Sequence, residues 1–292
     1  MAGFAGVHPF VSFSFYMGVL LFSMLFFHPI FLGASLLAVI LLNLCHDKGE
    51  KLKQFFVAYL LMGLFVLIVN PLLTHRGSHI LFYLFDQPIT LEAVSYGVTM
   101  GLLLWTILIC FLSFNFVITA NKFLYLFSSI LPKTSLLLMM SFRFVPLLKR
   151  RLEQISTVQQ TRGIDLRVGS LRKRAQDGMQ LMHILLTWSL DEAIQTADSM
   201  KARGYGVKTE RTSYVSFQIE KRDKVLLGWM MITFVICLWG WWQGYGRAQF
   251  YPVIDVSALL QVEWHVFSIY CLYLSMPIFI ELKERLWWSR LK

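Results

Sequence analysis

The chain has 292 residues, of which 57% are hydrophobic and 15% charged, and its formal net charge is +10 at pH 7. That balance is too apolar for a soluble domain of this length, so it excludes an ordinary water-soluble enzyme or binding module. The four cysteines lie in or beside apolar runs without metal-ligand spacing. We therefore expect an all-α, polytopic membrane protein without a disulfide framework or a zinc site.

The apolar stretches predict about six transmembrane helices, because a hydrocarbon core about 30 Å thick needs roughly 20 apolar residues per helix. The first stretch lacks the basic start and the cleavage site of a secretory signal, so we interpret it as a span. In the fourth stretch, Gly97 and Gly101 have the G-x-x-x-G spacing that favours close helix packing. The six stretches are 10–27, 29–45, 55–73, 93–120, 225–242 and 262–280.

Lysine and arginine predict the orientation, since these residues are retained on the cytoplasmic side of span ends. If both termini are cytoplasmic, 25 of the 27 basic residues fall inside, and only Arg76 and Arg247 fall outside. We thus predict a multi-pass protein of the cell membrane with both termini in the cytoplasm. Its regions are spans 1–4 (1–120), a cytoplasmic region (121–224), and spans 5–6 with a tail (225–292).

The cytoplasmic region begins with a long amphipathic helix. Pro132 fits the first turn of this helix, and Pro146 inside it should kink or divide it. The sequence Thr161-Arg162-Gly163 ends the helix, because glycine suits the left-handed residue that follows many helices. Its apolar stripe is formed by Phe144, Leu148, Leu152, Ile155 and Val158.

A second amphipathic helix repeats the arrangement between the fourth and fifth spans. It is predicted over 176–203, after a basic linker from Arg167 to Arg174, and it ends at Ala202-Arg203-Gly204. Its apolar stripe is formed by Leu186, Leu190, Ala193, Ala197 and Met200.

The two Arg-Gly pairs lie 41 residues apart on paired helices. One arginine near a helix end only complements the helix dipole, for roughly 0.3–1 kcal/mol. A planar guanidinium can also bind a partner's carboxylate through two hydrogen bonds, which lysine cannot reproduce. Two such ends in one cytoplasmic region favour an interaction surface.

At these residues the chain resembles the transmembrane T component of energy-coupling-factor (ECF) transporters, relatives of ABC importers. The resemblance covers about 8–242, and its Arg-Gly pair in this order on a membrane scaffold is specific. It is carried by the hairpin at His28-Pro29, the turn at Leu131-Pro132, the stretch 141–148, and the segments 160–165, 191–193 and 200–206.

The resemblance implies that Arg162 and Arg203 dock into grooves on two ABC-type ATPase subunits. Thr161, Gly163, Ala202 and Gly204 would frame these arginines. A separate substrate-binding membrane subunit (the S subunit) would take up a vitamin or a transition metal, and this chain would transmit the motion of the ATPases to it. Thr161 stands where the family usually has alanine, and the segment 243–292 exceeds the usual family length.

The chain has no phosphate-binding loop of the form G-x-x-x-x-G-K-[ST]. We therefore expect a non-catalytic subunit that binds no cofactor, with ATP and Mg held by the partner ATPases. The proposed partners are two ATPases, the S subunit and the lipid bilayer. Nucleic acid is not expected, because acidic residues interrupt the basic ones.

Two alternatives come from other classes. An integral membrane enzyme would need an assembled site, and His75 and His79 have the i, i+4 spacing of a metal pair without an evident third ligand. A stand-alone transporter would normally carry ionisable residues within its spans. The predicted spans are nearly free of them, which argues against an ion path through this chain.

Overall fold

The computed structural model describes residues 3–47, 49–74, 77–84, 87–128, 130–164, 168–207, 217–251 and 263–291. Within these ranges the chain forms nine α-helices, one short 3₁₀ turn and one hairpin, which confirms the all-α prediction. The helices are α1 (Pro9–Leu25), α2 (Pro29–Asp47), α3 (Glu50–Leu73), α4 (Leu91–Val117), α5 (Ala120–Ser128), α6 (Pro132–Gln160), α7 (Leu171–Ala202), α8 (Lys221–Trp242) and α9 (Trp264–Leu291).

Among the described residues, five helices are long and apolar enough to cross a membrane: α2, α3, α4, α8 and α9. The predicted first span corresponds to α1, a shorter apolar helix of 17 residues. At about 1.5 Å per residue it covers roughly 25 Å. It ends before His28-Pro29 because the residue before a proline is biased away from the helical conformation, while Pro29 itself suits the first turn of α2.

Two elements were not predicted from the sequence. Strands β1 (Ile80–Leu84) and β2 (Gln87–Thr90) form an antiparallel hairpin between α3 and α4. Their aromatic and β-branched residues favour strands, and Pro88 is tolerated because a two-stranded sheet consists only of edges. The second is α5, a short amphipathic helix where the sequence predicted only the start of the cytoplasmic region.

The chain divides into two compact units, Met1–Phe123 with Phe217–Lys292, and Leu124–Ser216. We call the first the membrane unit, because it contains α1 to α4, α8 and α9. We call the second the coupling unit, after the role that the resemblance implies for its helices α6 and α7.

Aromatic rings fill the centre of the membrane unit around α1. The ring of Phe22 lies 4.9 Å from that of Phe234 and stacks on Phe26 at 5.6 Å. The hydroxyl of Tyr273 donates a hydrogen bond to the carbonyl of Phe15 at 3.0 Å. A Cβ at Gly18 would lie 2.0 Å from that hydroxyl, so Tyr273 reaches α1 only because residue 18 is a glycine.

The G-x-x-x-G spacing of α4 faces α3 in this same chain. A Cβ at Gly97 would lie 3.3 Å from the carbonyl oxygen of Leu67, and one at Gly101 would lie 3.6 Å from that of Gly63. One turn further along α4, the indole N–H of Trp105 donates to the carbonyl of Tyr59 at 2.8 Å. The small residues thus bring the two backbones close together, as in other membrane helix pairs.

Polar contacts join several elements at one end of the membrane unit. The Glu281 carboxylate in α9 accepts a hydrogen bond from the Phe4 N–H at 2.9 Å, and it lies 3.3 Å from the His46 ring of α2. The ammonium of Lys122 in α5 donates to the carbonyls of Ala5 and Val117. Burial lowers the pKa of this ammonium. The start of α1 and the ends of α2 and α4 therefore meet on one side, as an even number of crossings requires.

Candidate functional site

Helix α6 carries the first Arg-Gly pair. It begins at Pro132, as predicted, and it continues through Pro146 to Gln160 as one helix. The proline therefore does not divide it. A proline removes one backbone N–H, so it leaves the carbonyl four residues earlier without its helical partner, while the neighbouring turns continue the helix.

Helix α7 carries the second pair and begins earlier than predicted, at Leu171 instead of 176. Ser170 is the reason, because its hydroxyl accepts a hydrogen bond from the Lys173 N–H and caps the first turn. The second half of the predicted basic linker is therefore helical. Arg167 lies outside the described residues.

Both helices end in the same backbone motif. At the end of α6, Gly163 has φ +80°, its N–H donates to the carbonyl of Gln160 at 3.0 Å, and the next N–H, that of Ile164, donates to Gln159 at 3.1 Å. This pair of bonds is the Schellman motif, which requires a left-handed residue and therefore favours glycine. Arg162 is the last residue before that glycine.

The end of α7 repeats this geometry. Gly204 has φ +82°, its N–H donates to the carbonyl of Lys201 at 2.9 Å, and the Tyr205 N–H donates to Met200 at 3.0 Å. Arg203 occupies the position that Arg162 has in α6. The two pairs that the sequence singled out thus share one local structure.

The surroundings of both ends are open. Thr161, Arg162, Gly163, Ala202, Arg203 and Gly204 are all exposed. Apart from their chain neighbours, no atom of the described residues lies within 4 Å of a Cβ built at Gly163, and at Gly204 the nearest is a Val207 methyl at 4.0 Å. Within the described part of the chain, neither arginine forms an ion pair.

The two ends lie far apart on an antiparallel helix pair. Arg143 of α6 and Arg203 of α7 line one groove, whereas the Arg151 guanidinium lies 4.7 Å from the Trp188 ring. A later residue of α6 therefore contacts an earlier residue of α7, so the two helices are antiparallel. From Arg143 to Gln160, α6 extends about 25 Å at roughly 1.5 Å per residue, and this length separates the two arginine-bearing ends.

The predicted apolar stripes differ in their environment. Four members of the α6 stripe, Phe144, Leu148, Leu152 and Ile155, are half-buried, but Val158 is exposed. The α7 stripe is mostly exposed: Leu186 is 56% exposed and Leu190 is 66% exposed. Other residues of α7 are covered instead: Leu181 is buried and Trp188 is half-buried.

The histidines do not assemble a metal centre within the ranges that the structure describes, where no group of three possible ligands occurs. The Nδ1 of His79 lies 3.0 Å from the Glu92 carboxylate. His75 lies outside these ranges. Sequence reasoning missed two buried carboxylates, Glu92 in the first turn of α4 and Glu281 within α9, because both lie at the edges of the predicted spans and their partners are distant in sequence.

Comparison with known proteins gives consistent matches. The profile of the family CbiQ, described as cobalt transport protein, matches residues 8–214, a range that includes both Arg-Gly pairs. The chain is 29% identical over 231 residues to the energy-coupling factor transporter transmembrane protein EcfT of Lactococcus lactis subsp. cremoris, covering 72% of this chain and 86% of the relative.

Two further relatives carry the same name. The protein of Macrococcus caseolyticus is 29% identical over 244 residues, which cover 77% of this chain and 88% of the relative. The protein of Leuconostoc gelidum subsp. gasicomitatum is 35% identical over 109 residues. That match covers 36% of this chain and 41% of the relative, so it spans less than half of either protein.

Proposed function

Because this chain belongs to the CbiQ family of cobalt transport proteins and is a transmembrane T component of the ECF type, we propose that it is an energy-coupling subunit. It transmits the motion of two partner ATPase subunits to a separate S subunit that binds the substrate. The substrate class is a vitamin or a transition metal, and the S subunit selects it.

One observation carries this proposal: two exposed arginines occupy equivalent Schellman motifs at opposite ends of one antiparallel helix pair, separated by a helix length of about 25 Å at roughly 1.5 Å per residue. Each end presents a guanidinium without an ion pair in the described residues, next to a glycine with open space around it. Such an end suits a partner groove that supplies a carboxylate. Two equivalent ends at this separation suit two ATPase subunits better than one.

The exposed stripe of α7 supports the remainder of the proposal. Leu186, Leu190 and Ile194 are each more than half exposed and follow one another at helical spacing. Contiguous exposed apolar residues mark a surface for a partner or for lipid. We assign this surface to the S subunit, so that ATPase contacts and S-subunit contacts lie on the same two helices.

The energy source lies outside this chain. It has no phosphate-binding loop, so ATP and Mg belong to the ATPase subunits in this proposal. In this proposal both termini lie in the cytoplasm, and the positive-inside distribution supports this orientation. The start of α1 lies at the same end of the membrane unit as the ends of α2 and α4, which is compatible with it.

The experiment compares complexes purified from membranes through a tag on this chain. Arg162→Glu and Arg203→Glu, singly and together, should lose the ATPase subunits and ATP-driven uptake, because truncating one partner of a buried charge pair typically costs about 2–5 kcal/mol. Arg150→Glu is the matched control, since Arg150 is also exposed on α6 but does not lie at its end.

Each result has one meaning. Loss of the ATPases from the double variant, with retention in the Arg150→Glu complex, supports the docking role. Full ATPase recovery and full uptake with the double variant would exclude it. If the wild-type chain purified without any ATPase or small membrane protein, the result would favour a stand-alone transporter or a membrane enzyme instead.

A further inference from the structure

A groove of about 450 Å³ lies between α6 and α7 beside the second Arg-Gly end. Its apolar lining comes from Met140, Phe144 and Leu147 of α6 and Met200 of α7, and its neutral polar lining comes from Gln195, Thr196 and Ser199 of α7. Its charged groups are Arg143, Arg203 and Glu192. All of these residues belong to the coupling unit. Arg143 is not part of either Arg-Gly pair.

The charges in this groove are not balanced. Two guanidinium groups share it with one carboxylate, so the local formal charge is +1. No ion pair within 4.0 Å joins Glu192 to either arginine among the described residues. A guanidinium presents a fork of N–H donors that matches a carboxylate, and binding is strongest where apolar walls exclude water.

We propose that Arg143 and Arg203 together form a two-arginine site that binds an acidic side chain of one ATPase subunit. The same ATPase segment places a large apolar side chain against Met140, Phe144 and Met200. This inference rests on the proposed coupling function and adds to it the chemistry of the docked segment. The groove has both parts of the required complementarity, since among the described residues its two guanidinium groups form no ion pair and apolar side chains lie beside them.

Glu192 gives the site a second property. Its carboxylate lies in the groove that receives the partner's carboxylate, and like charges at close range repel each other. It therefore weakens docking at this end and keeps the contact reversible during the transport cycle. Removing the charge of either arginine should therefore weaken ATPase binding, whereas removing the charge of Glu192 should strengthen it.

The test measures the affinity of the purified full chain, in detergent, for its purified ATPase subunits. Arg143→Met keeps the apolar stem but removes the charge, and it should weaken binding about tenfold or more. Arg150→Met is the matched control, because Arg150 lies two turns further along α6, outside the groove, and its loss should leave the affinity unchanged. Glu192→Gln should strengthen binding severalfold.

A double-variant cycle then asks whether the two arginines share one partner group. Arg143→Met combined with Arg203→Met should weaken binding less than the product of the two single effects, since both changes remove the same contact. Equal effects of Arg143→Met and Arg150→Met would overturn the proposal. So would unchanged or weaker binding by Glu192→Gln, a variant that remains informative if Arg143→Met fails to fold.

These outcomes separate this inference from the proposed function. If Arg203→Glu abolishes ATPase binding while Arg143→Met and Glu192→Gln change nothing, the docking role stands and the two-arginine site is wrong. If no arginine variant affects ATPase binding, both proposals are wrong.

Discussion

The membrane unit and the coupling unit bury their side chains to very different extents. In the membrane unit, Tyr16, Phe22, Tyr270 and Tyr273 are almost completely buried and contact one another or further rings. In the described part of the coupling unit, the buried residues are Leu124, Ser135, Gln159, Asp177 and Leu181. The first unit thus derives its stability from its own core, whereas the second leaves its apolar residues available to partners.

The largest expected effect on stability comes from removing one ring from the aromatic core of the membrane unit. Phe22→Ala removes a ring that packs against Phe26, Phe234, Tyr270 and Tyr273, so it should lower the free energy of unfolding by about 3–5 kcal/mol. Leu190→Ala is the contrasting variant. It removes an exposed leucine of α7 and should change stability by less than about 0.5 kcal/mol.

Thermal unfolding of both variants in detergent provides the measurement, together with co-purification of the S subunit. Leu190→Ala should unfold like the wild type yet retain less S subunit. If Leu190→Ala lowered the unfolding temperature as much as Phe22→Ala, the α7 stripe would belong to an internal core, and the contrast between the two units would be wrong.

A smaller effect is expected where the core packs against a glycine. Gly18→Ala places a methyl group 2.0 Å from the Tyr273 hydroxyl. The tyrosine must therefore move and weaken its bond to the Phe15 carbonyl. Overpacking of this kind typically costs about 1–3 kcal/mol, which unfolding of the purified variant would measure.

Gly33→Ala in α2 is the matched control for this glycine. Outside its own helix backbone, no atom of the described residues lies within 4 Å of a Cβ built there, and alanine is the better helix former. This variant should be neutral or more stable by about 0.5–1 kcal/mol. Equal losses at both glycines would show that packing against Tyr273 is not what residue 18 provides.

The sequence predicted most of this architecture because its strongest signals are local. Hydrophobic length located the first five spans to within five residues at each end, whereas α9 continues to Leu291, beyond the predicted end at 280. Glycine located the C-terminal end of each coupling helix. The sequence predictions were wrong where a helix boundary depended on one capping residue, or where exposure depended on a partner distant in sequence. The cap at Ser170 moved the start of α7, and the exposure of Leu186 and Leu190 depends on which face meets α6.

The candidate site divides in the same way. Arg162 and Arg203 stand out in the sequence because each precedes a helix-ending glycine. Arg143 does not, since it lies within a helix and only the antiparallel pairing of α6 with α7 brings it to the groove of Arg203. Periodicity predicts which residues share one helix face, but it does not predict which face of another helix lies opposite.

The smallest effect expected here lies at the end of α7 itself. Gly204→Ala forces an L-residue into the left-handed region at φ +82°, which costs roughly 1–2 kcal/mol. Steric crowding from the described residues adds little, because their nearest atom to a built Cβ, a Val207 methyl, is 4.0 Å away. The strain should loosen the last turn of α7 and reposition Arg203. Affinity for the ATPases should therefore fall about tenfold, while the unfolding temperature of the membrane unit stays unchanged.

Gly204→Asn tests the cause, since asparagine tolerates the left-handed conformation better than alanine. It should restore most of the affinity if backbone geometry is the requirement. If asparagine were as damaging as alanine, the requirement would be the absence of a side chain, so that the partner backbone approaches directly. In that case the open space around Gly204 would be part of the docking surface itself, and the local motif would matter less than what it leaves uncovered.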